Sequence, residues 1–522
     1  MQKPAILRDM TPRLLRIYLF ASIGAMNFGY DNNWWAGVIT LQTFIDNYGR
    51  KNGPGEPRTL PSSWLSAASG TPLAGWIIGC IIAGYLTRGI GRKRTIVVIC
   101  LIALVGMILQ AAVQNYWVLM VGRLVNAFSM GIEANCVPMY MAELAPASIR
   151  GGLIGFYQAW LYVGGIVAAV TVYGASTNLE GMWTYRTAIL VQLAPPCMLL
   201  SAVWFIPESP RWLLSKGQKE RALESLIYMR KGSGASDPEV SAELELMDEA
   251  MQEESEKHRA TTFADCFKGS NARRTVIAVG VQVLQQAQGN SFTTTYLIVF
   301  LKQVGLGQPL LINVAKMCVN FGACLATFYL ADKLGRLIML MGGAFFMAAL
   351  MWTISATSAW GGELSDATAK GITAAILFYG AFAASCWGSV MWAVTSEVST
   401  TQLRERTIAL ATLIGFITSL LITYINPFVQ DEPSNLGARV GMIYGSISII
   451  SVAFVFFFVP EMKGRSLEEL DELFHARVPA WKASSYVCSG IGARITGVET
   501  RRAGAEDGLY GKGVEVQGKV VD

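Results

Sequence analysis

Residues 67–114 read AASGTPLAGWIIGCIIAGYLTRGIGRKRTIVVICLIALVGMILQAAVQ. Two apolar runs, 67–87 and 95–114, flank a short turn that holds Arg88, Arg92, Lys93 and Arg94. As a helix, each run is long enough to cross about 30 Å of hydrocarbon, and Lys and Arg concentrate in loops kept on the cytoplasmic side. The stretch therefore predicts a membrane hairpin with its basic turn inside.

Outward from this hairpin the same grammar repeats. Apolar runs lie near 15–38, 67–87, 95–114, 116–140, 152–173, 185–206, 274–300, 309–331, 337–358, 371–396, 407–429 and 439–459, twelve in all. Arg150 follows the fourth run, Lys333 and Arg336 the eighth, Arg404 and Arg406 the tenth. Together with Lys3, Arg8 and Arg13 before the first run and Arg16 at its start, they place both termini in the cytoplasm. Composition agrees: 52% of the 522 residues are hydrophobic, 15% are charged, and mean hydropathy is +0.40. A formal net charge of +5, spread over short loops, argues against a nucleic-acid partner and leaves the lipid bilayer as the principal surroundings.

The predicted fold is an all-α membrane protein with twelve transmembrane helices in two six-helix bundles. Residues 1–14 form a cytoplasmic N-terminus, 15–206 the first bundle, 207–272 a charged cytoplasmic helical insert, 273–459 the second bundle, and 460–522 a cytoplasmic tail. In the insert, Ser209 and Pro210 signal an N-cap and first helical residue. Ser466 to Glu469 reads as a capping box opening a tail helix, with disorder expected from about Gly490. The first run has no small-residue cleavage site and is expected to remain as a span. Of the nine cysteines, Cys266 and Cys488 fall in cytoplasmic segments and the rest in apolar runs, so no disulfide framework is expected. No phosphate loop, metal cluster or nucleophile constellation is present; neither enzyme activity nor a cofactor is expected.

The halves echo one another. Gly91-Arg92-Lys93 answers Gly335-Arg336; Glu143 and Arg150 answer Glu397 and Arg404 at equal spacing; Pro207-Glu208 answers Pro460-Glu461. Paired repeats of this kind are used by transporters that alternate access to a midplane site. Asp31, in Phe28-Gly29-Tyr30-Asp31, stands within the first run, where a charge costs about 2.5–3.5 kcal/mol and needs a cavity, a partner or a proton.

At these motifs, and at PMYMAELAPASIR (138–150), Pro207 to Leu213, Gln285-Gln286 with Asn290, Ser396-Glu397 with Arg404, and Pro460 to Ser466, the chain resembles the sugar porter family of the major facilitator superfamily, especially fungal members. The likeness runs over about residues 15–480. It implies the major facilitator fold and sugar transport across the plasma membrane. It further implies proton coupling through Asp31 and Arg123, sugar contacts at Gln158, Gln285, Gln286, Asn290, Asn320 and Trp392, and a cytoplasmic gate of Arg92, Glu143, Arg150, Glu208, Arg336, Glu397, Arg404 and Glu461.

Physical chemistry supports that division. Amides grip hydroxyls bidentately and aromatic planes cover a sugar's apolar faces, although a lone membrane amide also serves as an interhelical hydrogen bond. Gln285 and Gln286 lie five and four residues before Asn290, so one helix can turn all three to one cavity. The gate is expected to hold the outward-open state and to break when the halves rock; topogenic charge is its alternative. Several positions depart from the family pattern. Gly415-Phe416 replaces a Gln-Trp pair, which leaves room for a larger sugar. Thr294-Thr295 replaces tandem tyrosines, Thr87 an Asp, and Thr400 a Pro. Glu133 lies about 15 Å along the fourth helix from Arg123 and is expected to stand apart from Asp31. Lys316 lies one turn from Asn320 and either lines the cavity, favouring an anionic sugar, or serves structure. Proton-coupled sugar symport is the leading reading; a facilitative carrier and a non-transporting sensor are the rivals.

Overall fold

The computed structural model describes residues 12–486 apart from 52, 54–55, 145–149, 232–236, 260–261, 304, 306, 360–364, 401, 431–433, 464 and 466. The tail beyond 486 and Ser466, the expected cap of the tail helix, lie outside the described residues. Helices account for every long element, and the only strand-like pairing among the described residues is a single bridge between Arg50 and Thr59.

All twelve apolar runs become helices, usually a turn longer than the run itself. The first six spans are Pro12–Val38, Ser62–Ile90, Arg92–Ala112, Tyr116–Leu144, Arg150–Asn178, and Trp183–Val191 continued by Ala194–Ala202. The last six begin with Gly269–Gln285, Ser291–Thr295 and Leu297–Gln303, which together make the seventh span. Pro309–Leu334, Arg336–Ala359, Asp366–Phe382 with Val390–Val398, Arg404–Gln430 and Val440–Phe458 follow. The overrun takes in cations such as Arg92 and Arg336 at helix starts, whose heads pair with Glu143 and Glu397. The third and fourth spans are separated only by Val113, Gln114 and Asn115, and the Asn115 side chain caps the fourth by accepting from Trp117 N at 2.9 Å.

Nine helices are long and apolar enough to cross a membrane by length and composition among the described residues. The first, fourth and seventh spans fall short of that measure because they carry Asn27 and Asp31, Arg123 and Glu133, and a run of glutamines. Their polar side chains are turned into the bundle, while Tyr85, Val105, Phe345 and Ile450 are exposed on its outside, as a lipid-facing surface requires.

The internal repeat is visible in backbone detail. Gly91 and Gly335 end the second and eighth spans with φ of +93° and +91°. At each, a glutamate lies against the glycine: a side chain would put Cβ 2.6 Å from Glu208 Oε2 in one and 2.8 Å from Glu461 Oε2 in the other. Glu208 accepts from Arg92 N at 3.0 Å and Lys93 N at 3.2 Å; Glu461 accepts from Arg336 N and Leu337 N at 3.3 Å. Each glutamate thus neutralises the exposed amides at the start of a helix, in both halves.

The charged insert docks on the first half. Ser209 caps Pro210–Ser215 as expected, accepting from Trp212 N at 3.4 Å. Leu213, Leu214, Leu226, Met229, Val240 and Leu244 bury against Ile17, Ile96 and Ile206. The helix Leu467–His475 packs under the second half, where Arg274 pairs with Asp471 at 2.6 Å. At the end opposite the basic loops, Phe44 and Tyr48 of the short helix Gln42–Tyr48 pack on Tyr185, so this long loop is folded down onto the spans.

Close helix crossings depend on glycine. A Cβ at Gly29 would lie 1.9 Å from the Leu161 carbonyl oxygen, and one at Gly164 2.1 Å from that of Met26, so the first and fifth spans meet backbone to backbone. Gly29→Leu is expected to prevent folding, since neither backbone can yield. Gly84→Leu, where nothing lies within 4 Å, should be tolerated. Monodispersity in size-exclusion chromatography of the two variants checks this.

Candidate functional site

Asp31 does not pair directly with Arg123 in this conformation. Its Oδ1 accepts from Asn126 Nδ2 at 2.8 Å, from Trp34 Nε1 at 3.2 Å and from Gln192 Nε2. Arg123 donates instead to the carbonyl of Ala68 and lies 3.8 Å above the Trp35 ring and 5.6 Å above that of Trp34. Trp34 is therefore the bridge: its indole N–H serves the carboxylate while its ring faces the guanidinium. Asn126 and Gln192 were missed from the sequence. They carried a signal, since each is a lone amide in an apolar run, like the amides that were singled out.

Glu133 is less remote than its position along the fourth span suggests. Its Oε2 accepts from Asn27 Nδ2 at 3.0 Å, and Asn27 precedes Asp31 by one turn of the first span. The first and fourth spans thus exchange two rungs, Asp31 with Asn126 and Asn27 with Glu133.

The seventh span supplies the expected amides, but from a broken helix. Residues Gln286–Asn290 form a π turn with Gly289 at φ +106°, and a second π turn, Ala383–Gly388, interrupts the tenth span. Such breaks free backbone and side-chain polar groups at membrane depth, which is tolerated only inside the protein. Gln286 Oε1 accepts from Ser291 Oγ at 2.9 Å, while Gln285 Oε1 is buried without a partner. Gln282 and Gln288, absent from the expected set, are also buried. Gln282 Nε2 and both amide atoms of Gln288 are unpartnered. Asn290 and Gln158 are half-buried. Asn320, with its amide oriented by its surroundings, donates to the carbonyls of Gly380 at 3.0 Å and Lys316 at 3.2 Å. Trp392 is 41% exposed, well clear of the close packing around Trp34 or Trp387.

Two expectations about specificity change. Gly415 does not open space, because a Cβ there would already meet the Gln282 side chain at 3.3 Å. Lys316 takes its structural role: it is buried, and Nζ donates to the Thr293 carbonyl at 2.7 Å, just beyond the break in the seventh span.

The charged loops form one cluster in each half. Arg92 pairs with Glu143 at 2.6 Å and Arg336 with Glu397 at 2.9 Å, while Glu208 and Glu461 hold the helix starts described above. No ion pair crosses from one half to the other at this end among the described residues. Arg404 opens the eleventh span and makes no ion pair among the described residues, and the side chain of Arg150 is outside them. The halves meet at the opposite end. Trp76 packs on Phe416, Gly70 on Leu420 and Tyr424, Gly37 on Leu310, and Lys302 donates to the Thr40 carbonyl.

Two bundles of six helices closed over a polar, helix-broken centre define a transporter of the major facilitator type. The inward open xylose transporter XylE of E. coli superposes with a TM-score of 0.71 over 88% of this chain and 99% of that one, at 23% identity. The proton:xylose symporter XylE bound to 6-bromo-6-deoxy-D-glucose gives 0.70 over the same shares. Residues 17–474 match the family model "Sugar (and other) transporter", and the chain belongs to that family. Among its relatives, the "Probable glucose transporter rco-3" of Neurospora crassa is 30% identical over 93% of this chain and 83% of that protein. The "High glucose sensor RGT2" of Saccharomyces cerevisiae is 29% identical over 91% of this chain and 62% of that protein.

The Lys316 contact gives a testable difference. Lys316→Met leaves the Thr293 carbonyl unpaired, at a cost of about 1–3 kcal/mol. The thermal midpoint in detergent should fall by a few degrees. Competition by glucuronate relative to glucose should stay unchanged, because the ammonium already has its partner.

Proposed function

We propose that the chain is a proton-coupled sugar symporter of the plasma membrane, with both termini and the basic loops in the cytoplasm. Its one carboxylate in the outer half of the first span is held by three neutral donors and no cation, and this observation carries the reading. A carboxylate so placed gains or loses a proton according to its water access, while Arg123, parked on Trp35, is the cation available to it when the helices shift. Sugar occupies the centre between the halves. Gln158, Gln285, Gln286 and Asn290 grip hydroxyls, Asn320 positions the tenth span, and Trp392 covers a ring face. The unpartnered atoms of Gln282, Gln285 and Gln288 support that centre, since buried amides without partners are costly unless a ligand meets them in the cycle. The relatives' names favour glucose or a similar hexose.

With the halves in contact at the outer end, through Trp76 on Phe416 and Lys302 on the Thr40 carbonyl, we read the conformation as inward-facing. The loop pairs are then the gate in its released form: Arg92 with Glu143 and Arg336 with Glu397 stay within their halves, and Arg150 and Arg404 cross when the cytoplasmic side closes. Symport requires only that protonation and sugar favour the same transition.

Uptake of D-glucose, D-xylose, maltose and D-glucuronate into transport-deficient cells, with external pH recorded, tests this. A protonophore should abolish accumulation. Asp31→Asn should do the same while sparing exchange down a gradient. Uptake that only equilibrates, and that neither treatment changes, makes the chain a facilitative carrier, and absence of transport for every sugar favours the sensor reading.

A further inference from the structure

Glu133 is a buried carboxyl that sugar binding and the Asp31 site do not use. It is 1% exposed, and Gly24 leaves space for it, since a Cβ there would lie 2.9 Å from Glu133 Oε1. Its Oε2 takes the amide hydrogen of Asn27 at 3.0 Å. The two remaining polar atoms of this pair, Glu133 Oε1 and Asn27 Oδ1, are buried and unpartnered. Both are acceptors when the carboxylate is ionised, so they cannot satisfy each other. A hydrogen on Oε1 changes this: a carboxylic acid facing a primary amide donates once and accepts once, closing a cyclic pair with no orphan. The titratable groups around Glu133 are Asp31 on the first span, Cys100 on the third, Cys136 on its own helix and Tyr157 on the fifth. None is a cation, and no ion pair reaches Glu133 among the described residues.

We propose that Glu133, with Asn27 as its partner, is a second proton-binding site on the cytoplasmic side of Asp31, and that the symported proton passes through it on its way inward. The inference rests on the symport reading for its direction of travel. Asn27 stands one turn, about 5 Å, from Asp31 towards the cytoplasm, and Glu133 stands opposite Asn27. The O–H bond broken at Asp31 is re-formed at Glu133 Oε1, with water carrying the proton between them. The ionised Asp31 keeps its three neutral donors. The neutral acid at Glu133 holds the proton until the next change of conformation admits cytoplasmic water.

The test uses the full chain in proteoliposomes, with the sugar that wild type accumulates from the panel above. Glu133→Gln installs a permanently neutral amide that completes the ring with Asn27. Sugar counterflow without a gradient should stay near wild type, and accumulation driven by a pH gradient should fall about tenfold, within the range of site-to-site coupling. Counterflow and accumulation both at wild-type level overturn the proposal. Infrared spectroscopy of Asp31→Asn at neutral pH provides a readout independent of how the Gln variant folds. A protonated-carboxyl band that persists in this protein supports a proton on Glu133, and its absence overturns it. Accumulation that survives Asp31→Asn removes Asp31 from the coupling and leaves the assignment to Glu133 intact, because the infrared band reports Glu133 directly.

Discussion

In hydrocarbon no water stands by to satisfy a polar atom, so every such atom drawn into the bundle must be met by another part of the chain. The first span draws in Asn27 and Asp31, and the fourth responds with Glu133 and Asn126. This exchange fixes the two helices in register. It brings Arg123 up to Trp34 and Trp35, and it places Gln192 of the sixth span against the same carboxylate. Backbone contact at Gly29 and Gly164 then pins the fifth span to the first. Much of the first half is arranged around a single buried polar seam.

The second half solves the problem differently. Its seventh and tenth spans break into π turns, and the broken backbone creates the polar groups that must be met. Lys316 supplies one answer by donating to the Thr293 carbonyl, Tyr379 another by donating to that of Gln288 at 3.1 Å, and Asn320 a third at Gly380. The glutamines at the break are left with unused capacity. One half therefore meets its buried polar atoms side chain to side chain between intact helices, and the other meets them at breaks in the helix backbone.

The span count, the order of the halves and the paired Gly-Arg and Pro-Glu motifs were legible because hydropathy and charge report them one residue at a time. The cap at Ser209 was equally plain, being a local rule. The partners of Asp31 were not. Asn126 and Gln192 lie 95 and 161 residues away, and nothing in the spacing distinguishes an amide that meets a carboxylate from one that meets a sugar. Resemblance pointed to Arg123, which lies beside Trp35 and donates to the Ala68 carbonyl, a contact between residues 55 apart that spacing does not report. The breaks at Gly289 and in Ala383–Gly388 were hidden for a related reason: each lies in an apolar run whose pattern continues a helix, and tertiary contacts decide where it parts.

Equal Glu-to-Arg spacing in the halves raised the expectation of a network between them, yet each pair closes within its own half. Both facts follow from the duplication. Glu208 and Glu461 are anchored by backbone amides at Gly91 and Gly335, which leaves Arg92 and Arg336 to reach Glu143 and Glu397 along the neighbouring helices. Among the described residues, the pairs of Arg92 with Glu143 and of Arg336 with Glu397 repeat the same arrangement in the two halves. The shared backbone anchoring of Glu208 and Glu461 is thus the feature that the duplication kept most strictly, down to the matching positive φ of Gly91 and Gly335.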